Sequence, residues 1–197
     1  MAVLPDLSQR YENEKVQNHV PERRKGPVFL SYGSEGDKRR YDSLYSSILS
    51  ASVFGLTARK IRVEADVSNG LPGAVMVGYL AGQVRETMDR VRTALKNSGF
   101  ALEPKKITVN LAPAGFKKEG NFFDLPVALT ILSSYGILEE KQTEGLLVVG
   151  ELGLNGEVCP VSGILPVVLE AKKEGCKACM VPRDNVKEAE YAGILPV

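Results

Sequence analysis

The sequence predicts an α/β domain, because strand-like and helix-like patterns follow one another along most of its length. Between Lys60 and Val67 apolar and charged residues alternate, which is typical of a half-buried strand. From Leu80 to Leu95 apolar residues recur every three or four positions, which indicates an amphipathic helix. Lys106 to Leu132 then combines a buried strand, a glycine-flanked basic loop and a helix, and we expect a functional site in this segment.

The first half of the domain contains further elements around these two. Ser47 to Leu56 carries strand-like alternation, and Ala74 to Val77 resumes an apolar strand after a turn rich in glycine and proline. We predict that this last strand pairs with Lys60 to Val67 as an antiparallel hairpin. Gly99 is the expected left-handed cap of the helix that precedes it.

The second half repeats the alternation of strands and helices. Asn155-Gly156 between apolar residues is a strong signal for a hairpin turn. The other expected elements are a strand at Leu146 to Val149, a helix from about Ile164 to Glu174 capped by Gly175, a strand at Ala178 to Val181, a short helix opened by Asp184, and a strand-like end at Ile194 to Val197.

Two glycines, Gly115 and Gly120, flank the basic loop at the spacing of a phosphate-binding P-loop. A P-loop continues with a lysine for the phosphates and a serine or threonine for magnesium, whereas Asn121 and Phe122 supply neither group. Asp124 predicts the start of the following helix, because its carboxylate can accept early amide protons. That carboxylate also disfavours an anion at the helix start. The sequence therefore argues against a nucleotide site here.

Composition limits the classes of function. The chain has 197 residues, 44% of them hydrophobic, and a formal net charge of +1, so it can build a core but has no overall attraction to nucleic acid. Its apolar runs are far shorter than the roughly 18 residues of a membrane helix, and the N-terminus lacks the apolar stretch of a secretory signal. We expect a cytoplasmic protein without membrane contact.

Three cysteines raise the question of a metal or redox site. Cys176 and Cys179 form a C-x-x-C pair, and Cys159 is the third thiol. Zinc needs a fourth ligand, and the only histidine, His19, lies in a distant polar segment. We expect reduced thiols that pack as small apolar groups, with a metal or redox site as the alternative.

The sequence divides at about residue 44. Residues 1–43 hold 8 basic and 7 acidic residues without a sustained period, which predicts an extended or disordered leader, and residues 45–197 form the domain. A short edge strand at Val28 to Leu30 is the alternative for part of the leader. Because the chain stops inside a strand-like stretch, we expect that it is one domain of a longer polypeptide.

Three stretches in order make a more specific pattern. They are Val63-Glu64-x-Asp66-x-Ser68-x-Gly70-Leu71-Pro72-Gly73, Asn110-Leu111-Ala112-Pro113-Ala114, and Lys118-Glu119-Gly120 followed by Asp124-Leu125-Pro126-x-Ala128. With Arg90-Val91, Asn97-Ser98-Gly99 and Gly150-Glu151-Leu152, they resemble the N-terminal domain of the magnesium-chelatase-like AAA+ ATPases of the YifB and ComM group. The resemblance covers Tyr45 to Val197.

The resemblance implies a fold similar to the Lon proteolytic domain and to the C-terminal domain of the recombination protein RadA. That fold is a two-layer α/β sandwich, a mixed sheet with helices on one side. In intact family members a P-loop ATPase module follows, binds ATP and magnesium, and assembles into a homo-hexamer. The ComM branch acts on branched DNA in recombination and natural transformation. This chain contains no G-x-x-x-x-G-K-[ST] motif, so we expect no cofactor in this fragment.

The likeness to Lon implies a test for peptidase activity, since Lon uses a serine and a lysine as nucleophile and base. The matching serine position falls among Asn121, Phe122, Phe123 and Asp124, which carry no hydroxyl. The matching lysine position is Leu165. Ser162 and Ser133 are the nearest hydroxyls in sequence, without a lysine at a suitable spacing.

We therefore predict a non-catalytic domain that positions its own AAA+ module and neighbouring subunits and contacts DNA. The candidate contact residues are basic, and Lys117 and Lys118 are expected to be exposed on the loop. The full set is Lys105, Lys106, Lys117, Lys118, Arg85 and Arg92. The alternative is an enzyme, either a Lon-like serine peptidase or an ATP-hydrolysing protein.

Overall fold

The computed structural model describes residues 45–193 and residue 196, which contain eight strands and five α-helices. The strands are β1 (Tyr45–Phe54), β2 (Thr57–Ser68), β3 (Gly73–Val77), β4 (Lys106–Ala112), β5 (Leu146–Val148), β6 (Glu151–Leu152), β7 (Val158–Cys159) and β8 (Ala178–Met180). The helices are α1 (Gly82–Arg85), α2 (Thr87–Asn97), α3 (Asp124–Ser134), α4 (Ile164–Lys173) and α5 (Val186–Tyr191), with 3₁₀ turns at Glu140–Gln142 and Arg183–Asn185. The predicted leader lies outside the described residues.

The main sheet has six strands in the order β3-β4-β2-β1-β5-β8. β1 pairs with β2 and β2 with β4 in antiparallel fashion, whereas β3 runs parallel to β4, β5 to β1, and β8 to β5. The sheet is therefore mixed, and the predicted α/β fold class is confirmed.

The predicted hairpin between β2 and β3 is wrong. β1 and β2 form the hairpin instead, joined at Gly55, whose φ of 59° fits a glycine turn. β4 lies between β2 and β3. Its Ile107, Val109 and Leu111 are buried, as expected for a strand with a neighbour on each side. Alternation identified each strand correctly but does not encode which strands pair.

The predicted helix from Leu80 to Leu95 is interrupted at Glu86, which separates the four-residue α1 from α2. Its apolar stripe is buried as expected, through Val84, Met88, Val91 and Leu95. Gly99 follows with a φ of 85°, which confirms the predicted left-handed end.

Two clusters of buried residues lie on the sheet. The first joins β2 and β4 to α2 and α3 through side chains such as Val63, Val109 and Val127. The second cluster lies on the other face of the sheet. It contains Ala51 of β1 and Ala58 of β2, which point away from the first cluster, together with much of α4. The predicted placement of helices on one side therefore describes α2 and α3, whereas α4 packs on the other face, against β2, β1 and β8.

The later elements match the sequence closely. β6 and β7 pair around Asn155-Gly156, with Gly156 at a φ of 88°, and α4 is followed by Gly175 at 73°. The short helix near Asp184 is a 3₁₀ turn that continues into α5. In the part of the chain described here, no helix combines the length and apolar character that crossing a bilayer requires. The strand-like end at 194–197 lies almost entirely outside the described residues.

Candidate functional site

The basic loop runs from Pro113 to Phe123 and joins β4 to α3. Its backbone is fixed at the end of β3, because the Lys118 N–H donates to Tyr79 O at 2.8 Å and the Ala81 N–H donates to Lys118 O at 2.9 Å. The Ser52 hydroxyl of β1 also donates to Glu119 O at 3.3 Å. The loop is therefore attached to two different strands of the sheet.

Lys118 is fully buried, so the prediction that it is exposed is wrong. Its Nζ donates hydrogen bonds to Pro113 O and to Phe116 O, the second at 3.0 Å, and lies 4.8 Å from the centre of the Phe116 ring. Burial lowers the pKa of the ammonium group. The side chain folds back on its own loop and holds the turn together instead of facing a partner.

Lys117 is exposed as predicted, and its Nζ forms an ion pair with Glu119 at 2.8 Å. This contact raises the pKa of the lysine. Gly120, next in the chain, has a φ of 91°, and a methyl group at this position would collide with the Phe122 ring. Glycine is therefore needed here for the path of the loop.

Asp124 is the first residue of α3 and is completely buried, but it does not cap the helix as predicted. Its carboxylate accepts two hydrogen bonds from Arg90 of α2, from Nε at 2.8 Å and from Nη2 at 3.0 Å. It also accepts the Leu152 N–H of β6 at 3.2 Å. The group therefore joins two helices and the short β6–β7 ribbon.

The start of α3 is fastened to Gly150 and to the beginning of β6 by three further hydrogen bonds. The Gly150 N–H donates to Phe122 O at 3.1 Å, and the Leu125 N–H donates to Gly150 O at 2.9 Å. The Asn121 side-chain amide donates to the Glu151 carboxylate. The position that a P-loop gives to its phosphate-binding lysine is thus occupied by an amide with a partner inside the protein.

An aromatic cluster connects the loop to the tip of the β1–β2 hairpin. The Phe54 and Phe116 rings meet edge to face, with centres 5.2 Å apart. The Arg59 guanidinium lies 5.3 Å from the Phe54 centre and 5.2 Å from the Phe116 centre. Sequence reasoning missed this cluster, because Phe116 is 62 positions from Phe54 and 57 from Arg59 and no local pattern relates them.

The six predicted contact residues do not form one surface. Lys117 and Lys118 follow the C-terminal end of β4, whereas Lys105 and Lys106 lie at its N-terminal end, about 20 Å away for a strand of this length. Lys105 Nζ lies 5.8 Å from the Tyr135 ring centre and pairs with Glu103 at 3.5 Å. Arg92 is close enough to lower the pKa of Tyr135, which burial raises overall.

Lys105 therefore lies against Tyr135, and Arg92 is near enough to act electrostatically on the tyrosine hydroxyl. Lys106 is exposed at the start of β4, and Arg85 is exposed at the end of α1. A separate open cleft of about 440 Å³ is lined by Ser47 and Arg62 on the sheet and by residues 140, 141 and 143–146. It lies on segments distinct from the loop and from the Tyr135 cluster.

The cysteines are free thiols, and Cys176 and Cys179 are buried in the second cluster. Burial raises the pKa of Cys179 to about 12 and also raises that of Cys176. Within residues 45–193, no three His, Cys, Asp or Glu side chains lie together in a way that would hold a metal ion.

Comparison with known proteins identifies the family. A family model described as subunit ChlI of Mg-chelatase matches residues 63–185, which include β4, the loop, α3 and the Arg90–Asp124 pair. The chain belongs to this magnesium-chelatase-like family. The match covers more than half of the sequence and confirms the resemblance seen in the motifs.

Individual relatives of this family agree. The chain is 41% identical over 143 residues to YifB of Escherichia coli and 39% identical over 142 residues to the competence protein ComM of Haemophilus influenzae. These alignments cover 73% and 72% of this chain but 28% of each relative. The chain therefore spans little more than a quarter of the length of these relatives. A weaker likeness, 30% over 172 residues, covers 84% of the chain and 21% of a Lon protease of Dictyoglomus thermophilum.

Because the chain is similar to a Lon protease, the positions predicted to match the serine and lysine of Lon are relevant to peptidase activity. Phe122 and Phe123 are buried, with rings 6.4 Å apart, and belong to the second and first clusters respectively. Leu165 lies in the first turn of α4, where it is 43% exposed. Neither aromatic ring can act as a nucleophile, and leucine cannot transfer a proton.

Proposed function

We propose that this magnesium-chelatase-like domain is a non-catalytic assembly and DNA-handling domain of a AAA+ ATPase. The observation that supports it most is the state of the basic loop, whose polar groups are bonded within the protein. Lys118 bonds loop carbonyls, Asn121 bonds Glu151, and Asp124 bonds Arg90 and Leu152. A loop whose polar side chains are bonded inside the protein serves to hold the domain together.

ATP and magnesium do not fit this loop. The residues after Gly120 lack the lysine and the hydroxyl of a P-loop, and the buried Phe122 ring fills the space beside that glycine. In our proposal both ligands bind to an ATPase module in a longer protein, as the family resemblance implies. The domain would contact that module and neighbouring subunits of a homo-hexamer.

For DNA we propose contact through Arg92 and Lys105, which lie near Tyr135, and through Lys106 at the start of β4. Three cations beside an exposed strand end can neutralise phosphates, and each such contact makes binding depend on salt. Arg85 and Lys117 are exposed as well, but Lys117 lies beyond the opposite end of β4 from Lys106. Lys118 is buried and is no longer a candidate.

The test is binding of single-stranded and branched oligonucleotides over a range of salt concentrations. We expect the triple variant R92A/K105A/K106A to bind at least about tenfold more weakly and to lower the slope of log K against log salt by roughly two. The matched control is K141A/K172A/K187A, which removes three exposed lysines elsewhere. Absence of salt-dependent binding by the unmodified chain would end the DNA part of the proposal and leave the assembly role.

A Lon-like peptidase or an ATP-hydrolysing enzyme is the second candidate, because of the likeness to a Lon protease. Ser162 is exposed just before α4 and is the hydroxyl to test. Turnover of a fluorogenic peptide or of ATP that disappears in Ser162→Ala would favour this candidate. No turnover by either protein is the result that we expect.

A further inference from the structure

Among the residues that the structure describes, β3 is an edge of the main sheet with nothing paired to its open side. It has one neighbour, β4, whereas at the opposite edge the Cys179 N–H of β8 donates to Pro196 O at 3.0 Å. Exposed edges usually carry a charge, a proline or a bulge that prevents further pairing. The strand Gly73–Val77 has the sequence GAVMV and contains none of these.

The backbone groups of β3 are arranged for a second neighbour. The Gly73 N–H donates to Lys105 O at 3.3 Å, and just beyond the strand Tyr79 O accepts from the Lys118 N–H at 2.8 Å. Odd-numbered residues therefore direct their N–H and C=O groups toward β4. Because the direction of the backbone groups alternates along a strand, the N–H and C=O groups of Ala74 and Met76 point away from β4.

The outward side chains near this edge are apolar. Val75 and Val77 are 50% and 41% exposed on the face opposite to the first cluster. Leu71 before the strand is 91% exposed, and Tyr79 after it is 56% exposed. Together they form an apolar stripe along an unpaired edge, which is a typical feature of an interaction surface.

The edge is complementary to itself in one register. In an antiparallel pair centred on Val75, Ala74 faces Met76 of the second copy, and these are the residues with outward backbone groups. Val75 faces Val75, and Gly73 faces Val77, so the only large side chains on that face meet each other or a glycine. Such a contact is isologous and closes as a dimer.

Charge does not oppose this pairing. The strand itself carries no charged residue, and the chain has a net charge of +1. The cations nearest to the two strand ends are offset by acidic neighbours, since Lys105 pairs with Glu103 and Lys117 with Glu119. Lys106 is the remaining exposed cation at this edge.

We propose that two copies of this domain pair through β3, antiparallel about a twofold axis at Val75, and form a continuous twelve-stranded sheet. This contact joins copies of the domain alone. It depends neither on DNA binding nor on an ATPase module, and a twofold contact differs from the head-to-tail contacts that build a ring.

The first test is the mass of the 197-residue chain by sedimentation equilibrium up to about 100 µM. We expect a monomer–dimer equilibrium of the 21.4 kDa chain, and at least a tenfold weaker association, by our order-of-magnitude estimate, for Val75→Lys, which places two charges on the axis. Leu154→Lys is the matched control, since Leu154 is 56% exposed in the β6–β7 turn, and it should leave association unchanged.

The second test fixes the register with single cysteines in a Cys159→Ser background. Directly opposed residues of a non-hydrogen-bonded pair have Cα atoms about 4.5 Å apart, which suits a disulfide. Val75→Cys should therefore link to itself on mild oxidation. A mixture of Gly73→Cys and Val77→Cys should give a mixed dimer, whereas each of these alone should not, because identical positions would lie about 13 Å apart. Gly73 tolerates a side chain, since a Cβ there meets nothing closer than 3.9 Å.

A monomer at all concentrations would overturn the proposal and leave the edge to a different partner. Association that Val75→Lys does not weaken, or oxidation that links neither Val75→Cys nor the mixed pair, would overturn it equally. These outcomes are independent of the oligonucleotide measurements, so each proposal can fail without the other.

Discussion

At the scale of single residues, Lys118 shows why a lysine in a loop is not necessarily a contact residue. Its neighbour Lys117 has the same local sequence context, yet one side chain is exposed and the other is fully buried. The difference arises from the backbone. Lys118 bridges to Leu80 beside β3, which directs its side chain inward toward the carbonyls of Pro113 and Phe116.

We expect Lys118→Met to lower the free energy of unfolding by about 1–3 kcal/mol, because two buried carbonyls lose their donor while the volume is kept. Urea unfolding followed by circular dichroism measures this. Lys117→Met serves as the control and should leave stability unchanged. Equal effects of the two substitutions would contradict the structural role of Lys118.

The thiols give a second prediction at this scale. A disulfide-exchange reagent at pH 8 should label Cys159 alone, because labelling needs the thiolate and burial raises the pKa of Cys179 to about 12. In urea three thiols should react, and Cys159→Ser should show none in the native state. Rapid labelling of Cys176 or Cys179 in the native protein would instead indicate an accessible, reactive pair.

The same pKa has a consequence for stability. The folded value of Cys179 lies above the reference of 9.0, so the thiol form is favoured in the folded state. This contribution to stability is complete below pH 9 and is lost as the pH rises toward 12. Cys179→Ala should therefore show a smaller fall in stability across this alkaline range.

At the scale of elements, Arg90 and Asp124 determine how α2, α3 and β6 meet. The carboxylate is fully buried and the arginine is partly exposed, so the pair lies at the edge of the first cluster. Sequence reasoning placed Asp124 correctly at the helix start but assigned it to the backbone of its own helix. No local pattern shows that an arginine 34 positions earlier reaches the same carboxylate.

We expect Arg90→Met to cost about 3–5 kcal/mol of stability, because it leaves a buried carboxylate without its counter-charge. Asp124→Asn should lower the free energy of unfolding much less in the Arg90→Met background than in the unmodified protein. A double-mutant cycle of urea unfolding measures this difference. Arg85→Met is the control on the preceding helix. Additive single effects would show that the two side chains are not coupled.

At the scale of the whole molecule, the two clusters are connected through consecutive residues. Phe123 belongs to the first cluster and Phe122 to the second, and β1 and β2 contribute to both faces. Loss of packing on one side therefore displaces the residues that support the other. We expect the described domain to unfold in one cooperative transition.

Far-UV circular dichroism and tyrosine fluorescence should give coincident urea curves, since the chain contains no tryptophan and has 7 tyrosines. Val63→Ala in the first cluster and Val168→Ala in the second should each lower stability by about 2 kcal/mol and shift both curves together. Separate transitions for the two substitutions would show that the faces unfold independently.

The sequence predicted the elements better than their arrangement. The strands, the glycine caps at Gly99 and Gly175 and the Asn155-Gly156 turn rest on local chemistry, and the structure confirms them. The strand order around β4 and the burial of Lys118 depend on contacts between distant segments, which local patterns cannot place. The family motifs identified the fold class, but the bonding within the loop became visible only from the three-dimensional contacts.

The position of β4 between β2 and β3 has a consequence for synthesis on the ribosome. β1 and β2 can form their hairpin as soon as they leave the exit tunnel, whereas β3 has no neighbour until Lys106–Ala112 has been translated. At about 5–20 residues per second, the apolar segment GAVMV waits for a few seconds in the nascent chain. During this interval β3 lacks its partner β4, which leaves an apolar strand available to chaperones or to other chains.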